Sequence, residues 1–160
     1  MNTHKNLSAG LIITGILLVI IATVVFVVLP NIMQPATTDL QLGSSIFHAR
    51  IAADDSDRTN GLSGVTEFKS DQALLMAFPN EDEWGILMKD MKVPVDIIWL
   101  NKDKKVIYIV LDASPNSYPK VFKPKAPAKY VIELPAGTVD SAAIKTNDVA
   151  VFQINEGNIK

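Results

Sequence analysis

The sequence contains no cysteine and only two histidines, His4 and His48. The missing thiols exclude disulfide frameworks, cysteine nucleophiles, thiolate zinc sites and iron–sulfur clusters. A serine-histidine-acid triad or a histidine-rich metal site is not expected either, because both require positioned imidazoles. The sequence therefore predicts no cofactor and no metal site, and it favours binding over catalysis.

An excess of charge of one sign is also missing. The 15 Lys and Arg residues nearly balance the 17 Asp and Glu residues, which leaves a net charge of −2. Because nucleic-acid-binding domains concentrate basic charge, no nucleic-acid partner is expected. A chain of 160 residues also leaves room for one globular domain and excludes a two-domain enzyme.

One long segment, Ala9 to Leu29, has no charged residue. About 20 apolar residues cross a hydrocarbon core roughly 30 Å thick, so the run predicts a transmembrane helix. The run exceeds the apolar stretch of a cleavable signal peptide, which favours an uncleaved signal anchor. Lys5 lies before the run, whereas no Lys or Arg follows until Arg50, so the N-terminus is expected in the cytoplasm and the rest outside it.

The predicted organisation has four parts: a cytoplasmic N-terminus at 1–8, a transmembrane helix at 9–29, a tether at 30–44 and an extracytoplasmic domain at 45–160. Within the last part, short apolar segments rich in Val, Ile, Phe and Tyr alternate with turn residues, a pattern typical of strands. We expect a mainly β domain, compact and barrel- or sandwich-like, with two short helices.

Several segments in combination resemble one known family, the domain of unknown function 192, whose members are small and often exported bacterial and archaeal proteins. The likeness extends from about Ile46 to Phe152. Gln72, Ala73 and Asp90 depart from the usual pattern. The resemblance implies a compact, mainly β fold with a cleft and no established activity. The segments that carry the resemblance are DRTNGL at 57–62, LLMAF at 74–78, Met88-Lys89, VPVDII at 93–98 and PAKYVIELPAG at 127–137.

Two carboxylates on predicted strands are candidates for ligand binding. Asp96 is expected in an apolar setting, where an unpaired charge is costly. It could form an ion pair with Arg58 or Lys89 that fixes a helix to the sheet. Alternatively, it could bind a ligand through a carboxylate whose pKa is shifted by its surroundings. Together with Glu133, it could instead form the carboxylate pair of a glycoside hydrolase. The ligand-binding candidates are Arg58, Met88, Lys89, Asp96 and Glu133.

A basic loop with interleaved aromatic residues is the clearest charge cluster. Near an anionic membrane or a phosphate-bearing wall polymer, each lysine could contribute about 1 kcal/mol. The alternative is a solvated loop that only keeps the protein soluble. The polyanion-binding candidates are Lys120, Lys123, Lys125, Lys129, Tyr118 and Phe122.

The leading interpretation is a membrane-anchored extracytoplasmic domain that binds a small ligand or an envelope polymer without catalysis. Two alternatives stay open. One is a small hydrolase that acts on envelope glycans through Asp96 and Glu133, and the other is a structural partner of a second membrane protein.

Overall fold

The computed structural model describes residues 3–28 and 36–160, and the chain divides into two compact units, 1–35 and 36–160. In the first unit, helix α1 (Thr3–Thr23) continues as a π-helical turn over Val24–Val28. Within the described residues, no helix has both the length and the apolar character needed to cross a membrane. Leu29, the last residue of the predicted anchor, and residues 30–35 of the predicted tether lie outside the described residues.

The second unit is built on one mixed sheet of six strands in the order β1-β2-β3-β8-β5-β6. Strands β2 and β3 run parallel, and all other neighbours run antiparallel. A separate ribbon pairs β4 with β7. The mainly β class is thus confirmed. The strands are β1 Thr37–Leu42, β2 Ser45–Ala52, β3 Gln72–Asp82, β4 Ile86–Leu87, β5 Val95–Leu100, β6 Val106–Ala113, β7 Val121–Phe122 and β8 Ala128–Pro135.

The sheet is not closed into a barrel, which corrects the predicted barrel-like arrangement. Its edge strands are β1 and β6. The segment 147–151 bonds to both edges, but only through isolated bridges, Gln41 with Val151 and Lys105 with Val149. Because this segment divides its backbone hydrogen bonds between two strands, it extends neither ladder.

The second unit includes part of the segment 30–44 that is expected to be a tether. Residues of the expected tether form β1, whose register places Leu40 opposite Phe47 of β2. Leu40 and Leu42 are fully buried, so β1 belongs to the core of the second unit. Asp39 and Gln41 face outward, so buried and exposed residues alternate along the second half of this strand.

Two short helices complete the second unit, as expected: α2 (Asp55–Asn60) and α3 (Thr138–Ser141). Helix α2 begins after Asp54, whose carboxylate accepts a hydrogen bond from the amide of Asp57 at 2.8 Å. It ends at Gly61, whose φ of +46° lies in the region that favours glycine. Both helix ends follow from the sequence of this segment.

The sheet is buried on both faces. Period-two alternation sends Ile98 and Ile132 into one apolar cluster, which also contains Val139 of α3. It sends Ile97 and Val131 into a second cluster on the opposite face. The second face carries the candidate site.

Candidate functional site

A cavity of about 550 Å³ lies against the second face of the sheet. Its wall consists of residues from β3 and β8, helix α2 with the turn after it, and the segment 84–91 around β4. We name it the Glu133 cavity, after the acid that lines it. Its apolar lining residues are Leu62, Met76, Phe78, Trp84, Ile86, Leu87 and Met91, and its polar side chains are Asp55, Arg58, Thr59, Asn60, Ser63, Lys89 and Glu133.

Glu133 is the buried acid of this cavity. The strand register places it between Leu74 of β3 and Ile97 of β5, and it is 3% exposed. Its Oε2 is, in the part of the chain that the structure describes, the one buried side-chain oxygen or nitrogen without a hydrogen-bond partner. Burial raises the pKa of Glu133 to about 7, although the positive charge of Arg50 opposes this shift. Nη2 of Arg50 donates to the carbonyl of Gly61.

Arg58 is held by the protein itself. Its Nη1 donates to the carbonyls of Ala53 at 2.8 Å and Ala77 at 2.6 Å. Its Nη2 donates to Asp55 Oδ1 at 2.6 Å and to the carbonyl of Lys160. The guanidinium therefore holds α2 against the sheet. These hydrogen bonds use most of its N–H donors, so few remain for a ligand.

Aromatic rings form one wall of the cavity. The rings of Phe78 and Trp84 stack with centroids 4.3 Å apart and planes 11° apart. The Arg58 guanidinium carbon lies 5.1 Å from the Phe78 ring centroid. Trp84 Nε1 donates to the carbonyl of Asn80 at 3.1 Å, and its own carbonyl accepts from Trp99 Nε1 at 2.9 Å. These contacts fix the stacked pair as a flat, preformed surface.

Asp96 lies on the other face of the sheet, opposite Leu134, and is 1% exposed. Its Oδ1 accepts a hydrogen bond from the amide of Asp112 and its Oδ2 one from the amide of Val139, both at 2.9 Å. The first amide belongs to an irregularity in β6, and the second belongs to the first turn of α3. Asp96 therefore joins β6 to α3 and, among the residues that the structure describes, forms no ion pair with a basic side chain.

The predicted carboxylate pair is thus not formed. Residues directly opposite each other in antiparallel strands share a face, and Glu133 stands opposite Ile97. Asp96 precedes Ile97 and points the other way. The sheet itself separates the two acids, so they cannot act on one substrate as a glycoside hydrolase requires.

Three of the five ligand-binding candidates line the same cavity: Arg58, Lys89 and Glu133. Lys89 is exposed, and its carbonyl accepts from Ser63 Oγ at 3.1 Å. Met88 is buried in the apolar cluster and is not part of the lining. The structure therefore groups the acid with two basic residues and sets Met88 and Asp96 apart.

The basic loop is only partly free. Lys129 forms an ion pair with Glu156 at 3.0 Å, and hydrogen bonds from Tyr130 and Lys129 hold the pKa of Glu156 below its usual value. Lys120 Nζ lies 4.6 Å from the ring centroid of Phe122, which is itself buried. The remaining candidates, Lys123, Lys125 and Tyr118, are exposed.

Sequence reasoning missed most of the cavity wall. The alternation along β3 places Met76 and Phe78 on the face of Leu74, so the strand pattern could have identified them. Trp84 and Met91 lie outside the long strands, where no periodicity indicates which way a side chain points. Their place in the wall depends on contacts between segments distant in the sequence.

Comparison with known proteins gives a family and a fold. No curated protein matches the chain. A protein from Sinorhizobium meliloti 1021, proposed in its description to be a transcription regulator, is similar in structure, with a TM-score of 0.72 and 24% identity over 75% of this chain and 96% of its own. A protein of unknown function from Novosphingobium aromaticivorans DSM 12444 has a TM-score of 0.66 and 21% identity over 74% and 85%. The family DUF192, described as uncharacterized ACR, matches residues 38–152, and the chain belongs to this family.

Proposed function

We propose that this chain is a membrane-anchored, extracytoplasmic protein whose domain binds a small organic ligand in the Glu133 cavity without transforming it. The observation that carries the proposal is Glu133, a buried acid that lines a cavity of about 550 Å³ and whose Oε2 has no hydrogen-bond partner.

An unpartnered buried acceptor destabilises a protein, because water no longer solvates it and nothing replaces the water. A ligand that donates a hydrogen bond to Oε2 would remove this cost. Ligand sites are usually mostly apolar cavities with a few placed polar groups, and the Glu133 cavity has this composition. Both features support a binding site.

Binding without catalysis is favoured by the partners of the neighbouring ionisable groups. The other carboxylate among the described lining residues belongs to Asp55, which is paired with Arg58. His48 is exposed, pairs with Asp39 at 2.9 Å and does not belong to the lining. General acid–base chemistry commonly uses a second titratable group within reach of the substrate. Among the described lining residues, these contacts leave only the exposed Lys89 beside Glu133.

The location outside the cytoplasm rests on the charge-free run from Ala9 to Leu29 and on Lys5 before it. In the described part of this run, the large apolar side chains from Ile13 to Phe26 are mostly exposed, as lipid-facing side chains would be. The apolar, uncharged character of this run supports the anchor.

Nuclear magnetic resonance of methionine methyl groups tests the binding proposal. Full-length protein labelled at its methionine methyls is titrated with a mixed set of small fragments. We expect the signals of Met76 and Met91, which line the cavity, to shift with saturation. Met88 is buried beside the cavity but does not line it, and its signal serves as the matched control. The proposal is wrong if no fragment moves Met76 or Met91, or if Met88 moves equally.

A further inference from the structure

We propose that the ligand of the Glu133 cavity is a small organic amine with an apolar body, bound as an ammonium ion whose N–H group donates to Oε2 of Glu133. This inference rests on the proposed function and adds the chemical class of the ligand.

The buried hydrogen-bonding groups of the cavity point to a donor on the ligand, whereas Thr59, Asn60 and Lys89 are exposed to solvent. The Arg58 guanidinium already donates to protein carbonyls and to Asp55, and Trp84 Nε1 donates to a protein carbonyl. Ser63 Oγ donates to the carbonyl of Lys89. The buried group that lacks a partner, within the residues described, is an acceptor. A carboxylate or phosphate ligand would add further acceptors beside it, whereas an amine supplies the missing N–H.

The walls favour a cation over a neutral donor. The Phe78 ring stacks on Trp84 and already has the Arg58 guanidinium over it, so Trp84 is the aromatic ring left to attract a cation. The thioethers of Met76 and Met91 are polarizable. A desolvated ammonium held against a desolvated carboxylate forms a charge-assisted hydrogen bond, which is stronger than a neutral one.

Four charged groups on the surrounding elements affect the electrostatic energy of the pair between the ammonium ion and Glu133. Arg50 of β2 opposes a cation but is bonded to the carbonyl of Gly61, and Arg58 of α2 is paired with Asp55 of the same helix. Lys89, beyond β4, is exposed, so solvent screens its charge. The ammonium is therefore placed at the buried acid, away from Lys89, with the apolar body toward the aromatic wall.

The pairing links binding to a proton. Below pH 7 the protonated Glu133 must lose its proton, which passes to solvent, before the carboxylate pairs with the ammonium. The amine is already protonated, because alkyl ammonium groups titrate near pH 10. The affinity for an amine should thus rise by roughly 30-fold between pH 5.5 and pH 8.

Isothermal titration calorimetry of the full-length protein with three probes that share one ring tests the class: 2-phenylethylamine, 2-phenylethanol and 3-phenylpropanoic acid. We expect the amine to bind at least 10-fold more tightly than the other two at pH 8, with the stated pH dependence. Glu133→Gln should abolish both the preference and the pH dependence. Asp90→Asn, which removes an exposed negative charge next to Lys89 at a positive φ that Asn tolerates, is the matched control and should change neither.

The outcomes separate the two proposals. If the alcohol or the acid shifts Met76 and Met91 as strongly as the amine does, the cavity binds ligands but the amine class is wrong. If no probe binds but a fragment of the mixed set shifts Met76 and Met91, only the amine class is wrong. If neither the probes nor the fragments bind, both proposals fail. Should Glu133→Gln not fold, the pH dependence of amine binding to the natural protein decides, because an affinity that is flat from pH 5.5 to 8 contradicts pairing with Glu133.

Discussion

Glu133 makes the stability of the domain depend on pH. Burial raises its pKa from 4.5 to about 7. Between these two pH values, the folded state therefore keeps a proton that the unfolded state has already released. The free energy of unfolding therefore falls as pH rises from about 4.5 to about 7, and the loss then stays constant.

Replacing Glu133 by Gln should remove this pH-dependent loss in the free energy of unfolding. Gln keeps the size of the side chain but cannot ionise, so the variant should match the natural protein at pH 4.5. At pH 8 it should be more stable by about 3 kcal/mol. Urea denaturation across this range measures the difference. A difference that does not grow with pH would show that Glu133 is not held in its neutral form.

Asp96 contributes to stability through a different contact. Asn has one side-chain acceptor, so Asp96→Asn leaves the amide of Asp112 or Val139 without its partner and sets an NH₂ group against it. We expect a loss of about 2 to 3 kcal/mol in the free energy of unfolding. The chemical-shift changes that bound probes cause at Met76 and Met91 should stay the same, because Asp96 lies on the face of the sheet opposite the Glu133 cavity.

Asp140→Asn is the matched control for this substitution, since Asp140 lies in α3, the helix that Asp96 contacts, but is exposed. It should change stability by less than about 0.5 kcal/mol. An Asp96→Asn variant that unfolds like the control, or that loses probe binding while remaining folded, would contradict the assignment of a structural role.

At the scale of elements, the ribbon of β4 and β7 depends on a glycine beside the cavity. A Cβ at Gly85 would lie 2.6 Å from Val121 Cγ1 and 3.2 Å from Lys123 Cε. The lysine can move, whereas the valine is fixed by its strand. Gly85→Ala should therefore push β7 away from β4 and cost about 1 to 3 kcal/mol by urea denaturation.

Val121→Ala removes the clashing methyl group and provides the rescue. Val121 is partly exposed, so this change alone should cost little. The double variant Gly85→Ala, Val121→Ala should regain most of the lost stability. If Gly85→Ala is as stable as the natural protein, the close approach of the two strands does not restrict this position.

The elements also show what the sequence could predict. The capping side chain of Asp54 and the glycine at 61 are local signals, and they set the ends of α2 correctly. Alternation along β5 is also a local signal: it indicates that Asp96 shares a face with Ile98, and the structure has both on one face. The partner strands of β2 and the relation of Asp96 to Glu133 could not be predicted, because strand order and register depend on contacts between distant segments.

For the whole molecule, the absence of cysteine allows membrane topology to be measured by thiol labelling, because a single introduced cysteine is the sole thiol of the chain. The exposed Lys125 belongs to the β domain, and Thr3 precedes the apolar run. If the chain is anchored with its N-terminus in the cytoplasm, a membrane-impermeant maleimide should label Lys125→Cys on intact bacterial spheroplasts. Thr3→Cys should react only after lysis.

The natural sequence, which has no thiol, is the control for background labelling. Labelling of Lys125→Cys only after lysis would place the cavity in the cytoplasm and overturn the proposed localisation, while leaving ligand binding intact. Labelling before lysis would place Glu133 in a compartment whose pH follows the surroundings more closely than that of the cytoplasm does. A pKa of about 7 would then let external acidification release a bound amine, because protonated Glu133 no longer offers it a charge.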